Sequence, residues 1–417
     1  MLVRWLGLAA LAAAVPIAAG CGGVGATGAS EATGSQLAIY SSLPLQGPTA
    51  AISQQMVNGE KLALSQAGGH VGSFQVGYVS LDDANPTNGQ WSTGETTNNA
   101  KTAAQDTSTI AYLGDYNSAA TAVSLSLTNA AGILQVSPAS PYVGLTSSLD
   151  AGQDEPARFY LSGKRTFGRL QPGDPVEAAA QVQLMRSLGV HKLYVLDDQD
   201  PFEVPLASIA AGDAEHAGIT VAAHDSIETP AGATYTGEVE KIVASGAQAV
   251  FFAGGGKAGT VALWRALHSA DPRLLLLGSS AMASESFTSQ IGSAASTTYL
   301  STPILPTDLY PASAQRVLRD YRKSFGGDPG PYALSGYEAM SVVLAAIRSA
   351  GTRGNDRQVV IDRFFATRRR DSVLGRYSMQ ANGETTLSRY GVDRVRGGRP
   401  VFYRAIEVGQ ASPATGG

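Results

Sequence analysis

The stretch QAVFFAGGGKAGTVALWRALHSADPRLLLLGSS, residues 248–280, decides the fold of this chain. It begins with an apolar run typical of a buried strand, passes through a glycine turn and a helix-like segment, and ends in a second apolar run. Strand, turn, helix and strand in this order are typical of a parallel sheet whose faces are covered by helices.

The glycine turn within this stretch has the G-x-G-x-x-G spacing of a dinucleotide-binding loop, at Gly254, Gly256 and Gly259. Such a loop also needs an acidic residue at the end of the next strand to hold the ribose hydroxyls. Here that strand runs into Ser280 without an Asp or Glu, and Lys257 lacks the Ser or Thr of a phosphate-binding P-loop. We therefore predict no nucleotide or other cofactor and interpret the turn as the rim of a ligand cleft.

The same alternation of apolar strands and helical segments continues on both sides of this stretch. Between its Gly- and Ser-rich ends the chain has roughly 375 residues, which is too long for one compact core. We predict an α/β fold with two doubly wound parallel-sheet lobes. In such sheets a ligand binds beyond the carboxyl ends of the strands.

Composition excludes several classes of function. The net charge is −4 and charged residues make up 15% of the chain, without the basic stripe that nucleic-acid binding requires. The five histidines show no metal-binding spacing and no G-x-S-x-G motif occurs, so no metal site and no catalytic residue are predicted. Paired acids at Asp82–Asp83 and Asp197–Asp198 keep open the alternative of an extracytoplasmic α/β hydrolase, although no nucleophile can be named for it.

The first residues indicate export from the cytoplasm. Residues 1–20 combine a basic residue with an apolar core too short to span a bilayer, as in a secretory signal peptide. The sequence AAGC, ending at Cys21, resembles the lipobox of bacterial lipoproteins, although that motif prefers leucine where Ala18 stands. The resemblance implies a lipid on Cys21 that holds the protein at the outer side of the membrane. An ordinary signal peptide is the alternative, and we expect a flexible tether over 21–35 and a disordered tail over 409–417.

The mature chain resembles the branched-chain amino-acid-binding proteins of ABC importers, which have the type I periplasmic-binding-protein fold. Seven segments carry the resemblance in the expected order: PLQGPTAAISQQMVNGEKLA, VSLDDANPT, YLGDYNSAAT, GILQVSPAS, LYVLDDQDPF, AGATYTGEVEKIVASGAQAVFFAGG and DPGPYALSGYEAMSVVLAAI. It implies a hinge of three crossings near residues 160, 302 and 388. The N-terminal lobe would comprise 36–159 plus 303–388, and the C-terminal lobe 160–302 plus 389–408. It also implies a small-molecule ligand and a membrane permease as partners, and we expect a monomer.

Carried over residue by residue, the resemblance implies a ligand site of Ile52, Tyr116, Asn117, Ser118, Ala139, Ser140, Phe202, Gly255 and Ser280. At Ser118 the physical reason is clear, because a hydroxyl and free amides at a helix start can hold an anionic group. The alternative for Ser118 and Asn117 is simple helix capping. For Ile52 and Phe202 the alternative is packing in the core.

Three departures from the family bear on the ligand. Pro141 stands in place of a threonine, Gly255 in place of a tyrosine, and Ser280 in place of the glutamate that pairs with an amino-acid ammonium group. Since a charge-assisted hydrogen bond contributes about 1.5–3 kcal/mol, a simple branched-chain amino acid is not expected. The ligand would be larger, uncharged, or bound through a charge placed elsewhere. The candidates for that charge nearest in sequence are Lys164, Arg165, Arg169 and Asp174, although each is interpreted as a surface group rather than a cleft group.

The sequence does not separate an importer from a sensor. A lipoprotein that binds the same ligand and reports to a signalling partner would have the same cleft. This alternative stays open beside transport.

Overall fold

The computed structural model describes residues 31–409, which form two α/β lobes. The predicted signal peptide, the lipidated Cys21, tether residues 21–30 and tail residues 410–417 lie outside the described residues. Within 31–409, no helix is long and apolar enough to cross a membrane.

The first lobe contains a six-stranded sheet in the order β2-β3-β1-β4-β5-β6. Its strands are β1 (Gln36–Leu43), β2 (His70–Val71), β3 (Phe74–Asp82), β4 (Thr109–Gly114), β5 (Leu134–Ser137) and β6 (Phe167–Arg169). Its helices are α1 (Ala50–Gln66), α2 (Thr93–Gln105), α3 (Ser118–Ala130), α9 (Ala312–Phe325), α10 (Tyr332–Ala350) and α11 (Arg357–Phe365). The first lobe also contains a small hairpin, made of β12 (Arg370–Asp371) and β13 (Arg376–Tyr377).

The second lobe contains a seven-stranded sheet in the order β15-β14-β11-β10-β9-β7-β8. Its strands are β7 (Lys192–Asp197), β8 (Thr220–Ser226), β9 (Ala249–Ala253), β10 (Leu275–Gly278), β11 (Thr298–Thr302), β14 (Arg389–Arg396) and β15 (Arg399–Glu407). Its helices are α4 (Asp174–Ser187), α5 (Val204–His216), α6 (Thr236–Ala244), α7 (Ala258–Ala270) and α8 (Glu285–Thr288). The decisive stretch forms β9, α7 and β10, and β9 is buried along its whole length, as a central parallel strand requires.

The chain crosses between the two lobes three times. The first crossing follows Arg169 rather than residue 160, because β6 still pairs in parallel with β5 of the first sheet. The chain returns to the first lobe after Thr302 and enters the second sheet again at Arg389.

Residues 31–35, which the sequence analysis assigned to the flexible tether, lie against the first lobe. Ala32 is buried, and its N–H donates to the carbonyl of Asn355 at 2.7 Å. The hydroxyl of Thr33 donates to that of Thr107 at 2.6 Å. Contacts with the first lobe therefore order the residues from Glu31 onward.

One apolar cluster belongs to both lobes. The segment from Tyr142 to Tyr160 follows β5 of the first sheet, yet its apolar side chains pack with those of α4 and α5 in the second lobe. The ring of Tyr142 meets the ring of Phe202 edge to face, with 4.9 Å between centroids. This shared cluster closes one side of the space between the lobes.

Candidate functional site

A cavity of about 420 Å³ lies between the lobes, beyond the carboxyl ends of both sets of parallel strands. We call it the cleft. Seven of the nine residues that the sequence analysis singled out line it: Tyr116, Asn117, Ser118, Ala139, Phe202, Gly255 and Ser280. The Ser118 and Ser280 loops approach the cavity from opposite lobes.

The other two predicted residues lie behind the cleft wall rather than on it. The Ser140 hydroxyl is buried, donates to the carbonyl of Asp115 at 3.0 Å, and shares a 2.6 Å hydrogen bond with the Thr121 hydroxyl. Ile52 packs in the small apolar cluster that also contains Tyr116 and Tyr332. The lining of the cavity therefore does not include these two predicted residues, although Ile52 packs against its lining residues Tyr116 and Tyr332.

The N-terminal end of α3 faces the cleft without a side-chain cap. Asn117 occupies the N-cap position in extended conformation but makes no capping hydrogen bond. The Ser118 hydroxyl instead accepts the N–H of Tyr142 at 3.3 Å. The amides of the first helical turn carry the positive end of the helix dipole. This wall of the cleft is therefore suited to an anionic or other hydrogen-bond-accepting group.

The loop from Ala139 to Val143 is fixed from below by a buried arginine. Arg169 donates through Nη1 to the carbonyls of Ser140 and Tyr142, both at 2.8 Å. Its Nε and Nη2 bind the two carboxylate oxygens of Glu384 at 3.0 and 2.5 Å. The interpretation of Arg169 as a surface group is thus wrong, because the side chain is fully buried.

The same loop is joined to the second lobe through α4. The N–H of Asp174 donates to the carbonyl of Pro141 at 3.0 Å, and the Asp174 carboxylate accepts the N–H of Val143 at 2.8 Å. Asp174 is buried and lines the cleft, which corrects its assignment to the surface. Burial also raises the pKa of this carboxyl well above its usual range.

Ser280, which stands where the family has glutamate, holds a carboxylate that comes from another element. Glu177 Oε1 accepts the N–H of Ser280 at 2.7 Å and Oε2 accepts its hydroxyl at 2.9 Å. The hydroxyls of Ser301 and Tyr390 each donate to the same carboxylate at 2.5 Å. Four donors thus hold a buried carboxylate against the cleft, and the sequence analysis did not identify it.

The second-lobe wall of the cleft is acidic. Four carboxyl groups and one ammonium line it: Asp174, Glu177, Asp200, Glu203 and Lys257. Burial raises the pKa of Glu203 well above its usual range, and the negative charges of Glu177 and Asp174 add to that effect. A positive charge placed among these groups would favour their ionised forms.

The glycine turn encloses a carboxylate of the protein itself. Asp198 accepts the N–H of Gly255 at 3.0 Å and the ammonium of Lys257 at 2.7 Å. A Cβ on Gly254 would come within 2.7 Å of the Asp198 carboxyl carbon. Glycine is therefore required where the backbone closes over Asp198, and the N–H of Gly255 and the ammonium of Lys257 are already bound to this carboxylate. Within 31–409, no group of three or more His, Cys, Asp or Glu side chains could hold a metal ion.

Two doubly wound lobes that enclose a cleft at their strand ends define a two-lobed binding protein. The chain belongs to the periplasmic binding protein family, whose model matches residues 41–399. None of the curated proteins compared matches it.

Solved structures of this class resemble most of the chain. The leucine-binding protein LivK of Thermotoga maritima is 19% identical, covers 89% of this chain and 99% of its own, and superposes with a TM-score of 0.71. LivJ of Streptococcus pneumoniae, solved with isoleucine, is 18% identical, with 89% and 99% covered and a TM-score of 0.67. A solute-binding protein of R. palustris in complex with benzoate is 15% identical, with 91% and 98% covered and a TM-score of 0.66. At these identities the likeness establishes the fold.

Proposed function

We propose that this protein is an extracytoplasmic, lipid-anchored solute-binding protein that delivers a small organic solute with a cationic group to an ABC permease. The observation that carries the proposal is that the acidic side chains of the cleft are concentrated on its second-lobe wall. Four carboxyl groups line its second-lobe wall, and the ammonium of Lys257 is already paired with Asp198. A cationic group on the solute would favour the ionised forms of these buried carboxyls and pair with them, whereas an anion there would gain no such partner.

The opposite wall supports an amino-acid-like solute. The uncapped start of α3 and the Ser118 hydroxyl favour a carboxylate or a carbonyl group. Gly255 stands where the family has a tyrosine, so no aromatic ring occupies the space between the walls at this position. The cleft can therefore accommodate a side chain larger than that of leucine. A derivative or a larger amino acid therefore fits the proposal better than a branched-chain amino acid.

A matched ligand screen tests the proposal. Isothermal titration and thermal unfolding are measured with amino acids, their N-acetylated forms, diamines and aromatic acids. An ammonium-bearing solute is expected to bind and to raise the melting temperature as its concentration rises, because it binds only the folded state. The N-acetylated counterpart should bind at least about tenfold more weakly. Tight binding of an anion alone would overturn the cationic assignment, and turnover of an ester or amide would overturn the transport function.

Delivery to a permease is tested separately in cells. Deletion of the gene should abolish uptake of the solute found in the screen, and the wild-type chain should restore it. Normal uptake in the deletion strain would contradict the transport role and favour a ligand sensor.

A further inference from the structure

A second cavity, of about 390 Å³, lies at the hinge. All three crossings contribute to its wall: 170–172 from the first, 303–305 from the second and 386–389 from the third. We call it the hinge cavity. It is almost as large as the cleft, and Gln171 and Pro303 line both cavities.

The wall of the hinge cavity is mainly aliphatic. Six of its side chains are Leu170, Ile304, Leu305, Leu309, Leu374 and Leu387. Prolines from the first two crossings and the ring of Tyr310 extend this surface. Ile304, Leu309, Leu374 and Leu387 are only partly buried, so an apolar molecule in the cavity would remove further aliphatic surface from water.

The charged residues at the rim favour one sign of ligand. Arg376, Arg389 and Glu407 are the charged side chains that line the cavity. Arg389 lies 3.5 Å from Glu407 and also donates to the Leu309 carbonyl at 3.1 Å, so these two charges offset each other. Arg376 pairs at 2.6 Å with Asp371, which does not line the cavity, and both side chains are more than half exposed. An exposed pair of this kind contributes little, so the Arg376 guanidinium can turn to an anion in the cavity.

We propose that the hinge cavity is a second binding site, which takes a small carboxylate with an apolar body. The apolar body would lie against the aliphatic wall, and the carboxylate would meet Arg376 at the rim. Apart from Gln171 and Pro303, this site is lined by other residues than the acidic cleft, and it has the opposite charge preference. It does not depend on the identity of the transported solute.

Three probes that share a phenyl-substituted aliphatic chain and differ in the charge of the end group test the site. Binding of 4-phenylbutyrate, 4-phenylbutylamine and 4-phenylbutyramide to the wild-type protein is measured by isothermal titration. We expect saturable binding of the carboxylate with a Kd of about 1 mM or tighter. The amine should bind at least about tenfold more weakly, because its charge meets Arg376. No saturable binding of the carboxylate would overturn the proposal. So would equal binding of the carboxylate and the amine if both are lost in the tryptophan variants described next, because the amine would then occupy the hinge cavity rather than the acidic cleft.

Variants locate the binding. Ile304→Trp fills the cavity from a partly exposed position and should abolish binding of 4-phenylbutyrate, and Leu309→Trp is the second choice if the first variant does not fold. Arg376→Gln should weaken the carboxylate about tenfold and leave the uncharged amide unchanged. The control is Arg273→Gln, which removes a 93% exposed guanidinium of the second lobe and should change nothing. Unaltered carboxylate binding in both tryptophan variants would place the probe elsewhere and refute the site. The cleft screen also contains aromatic acids, so any acid that binds there is measured again with Ile304→Trp. Binding that this variant abolishes belongs to the hinge cavity, and binding that it retains belongs to the cleft, so either proposal can fail without the other.

Discussion

Glu177 is the residue on which the charge of the cleft depends most directly. Its carboxylate accepts four hydrogen bonds, two of them from Ser280. We expect Glu177→Gln to weaken binding of an ammonium-bearing solute by about 10- to 100-fold, because a charge-assisted contact is lost. The variant should also lose about 1–3 kcal/mol of unfolding free energy, since the amide NH2 faces donors instead of accepting from them. Titration calorimetry and urea unfolding measure the two effects.

The matched control is Glu240→Gln, an exposed glutamate on α6. It should change neither affinity nor stability measurably. If Glu177→Gln binds the solute as tightly as the wild type, Glu177 has only a structural role.

Asp83 gives the protein a predicted dependence of stability on pH. It is fully buried directly after β3, and neither carboxyl oxygen has a hydrogen-bond partner among residues 31–409. Burial raises its pKa to about 8, with further contributions from the nearby charges of Asp115 and Asp82. Between about pH 4, where an unfolded aspartate ionises, and pH 8 the folded protein binds more protons than the unfolded chain. Stability is therefore expected to fall as pH rises through this interval.

Asp83→Asn should remove part of this loss. We expect the variant to exceed the wild type at pH 8 by roughly 1–3 kcal/mol of unfolding free energy, and by much less at pH 5. Urea unfolding at both pH values checks this. Some dependence should persist, because burial also raises the pKa of Glu60 to about 8. A wild-type stability that does not change over this interval would contradict the assignment.

The sequence could predict those cleft residues that are marked by a neighbouring strand or helix start. It could not predict residues that reach the cleft only through contacts with distant parts of the chain. Ser118 and Ser280 follow strands directly, so their place at the strand ends was predictable. Glu177 becomes a cleft group through donors on Ser280, Ser301 and Tyr390, which lie 103 to 213 residues away in sequence. The available signal was the pair of acids, Asp174 and Glu177, in the first turn of the helix that follows a crossing.

Among the elements, the loop from Ala139 to Val143 depends for its position on the ion pair of the buried Arg169 with Glu384. We expect Glu384→Gln to destabilise the protein by about 3–5 kcal/mol, because it leaves the fully buried Arg169 without its carboxylate. Ligand affinity should fall as well, since Arg169 holds two carbonyls of the loop. Chemical unfolding and calorimetry measure both quantities.

An exposed pair provides the comparison. Asp271→Asn removes the carboxylate beside Arg273, at 3.5 Å, and should cost less than about 1 kcal/mol. The double variant Arg169→Met with Glu384→Leu should recover stability without recovering affinity. Recovery of both would show that the loop keeps its position without the arginine.

Elements with a strong pattern were predictable, and short ones were not. The apolar runs that form β9 and β10 are buried as expected. β6 has three residues, too few for any periodicity, and its pairing with β5 is a long-range contact. For this reason the first crossing could not be placed from the sequence. The residues before Gln36 lack an apolar pattern, yet hydrogen bonds to the distant Thr107 and Asn355 order Ala32 and Thr33.

At the scale of the whole molecule, attachment to the membrane is expected to depend on Cys21. Wild-type protein should fractionate with membranes and incorporate labelled palmitate in cells. Cys21→Ser should appear in the soluble extracytoplasmic fraction, because the thiol that accepts the lipid is missing. The melting temperature of the purified variant should equal that of the unlipidated wild type. Retention of Cys21→Ser in the membrane fraction would contradict lipid anchoring.

The cluster shared by Tyr142–Tyr160 and the α4–α5 pair has a consequence for dissecting the protein. The two sheets separate at the three crossings, but the apolar core does not separate there. The segment Tyr142–Tyr160 belongs to the first lobe by its position in the chain, yet it covers an apolar face of the second lobe. A fragment consisting of 174–302 joined to 389–408 would keep a complete sheet and leave that face bare to water. Such a fragment should self-associate, and grafting the segment back onto it should restore solubility.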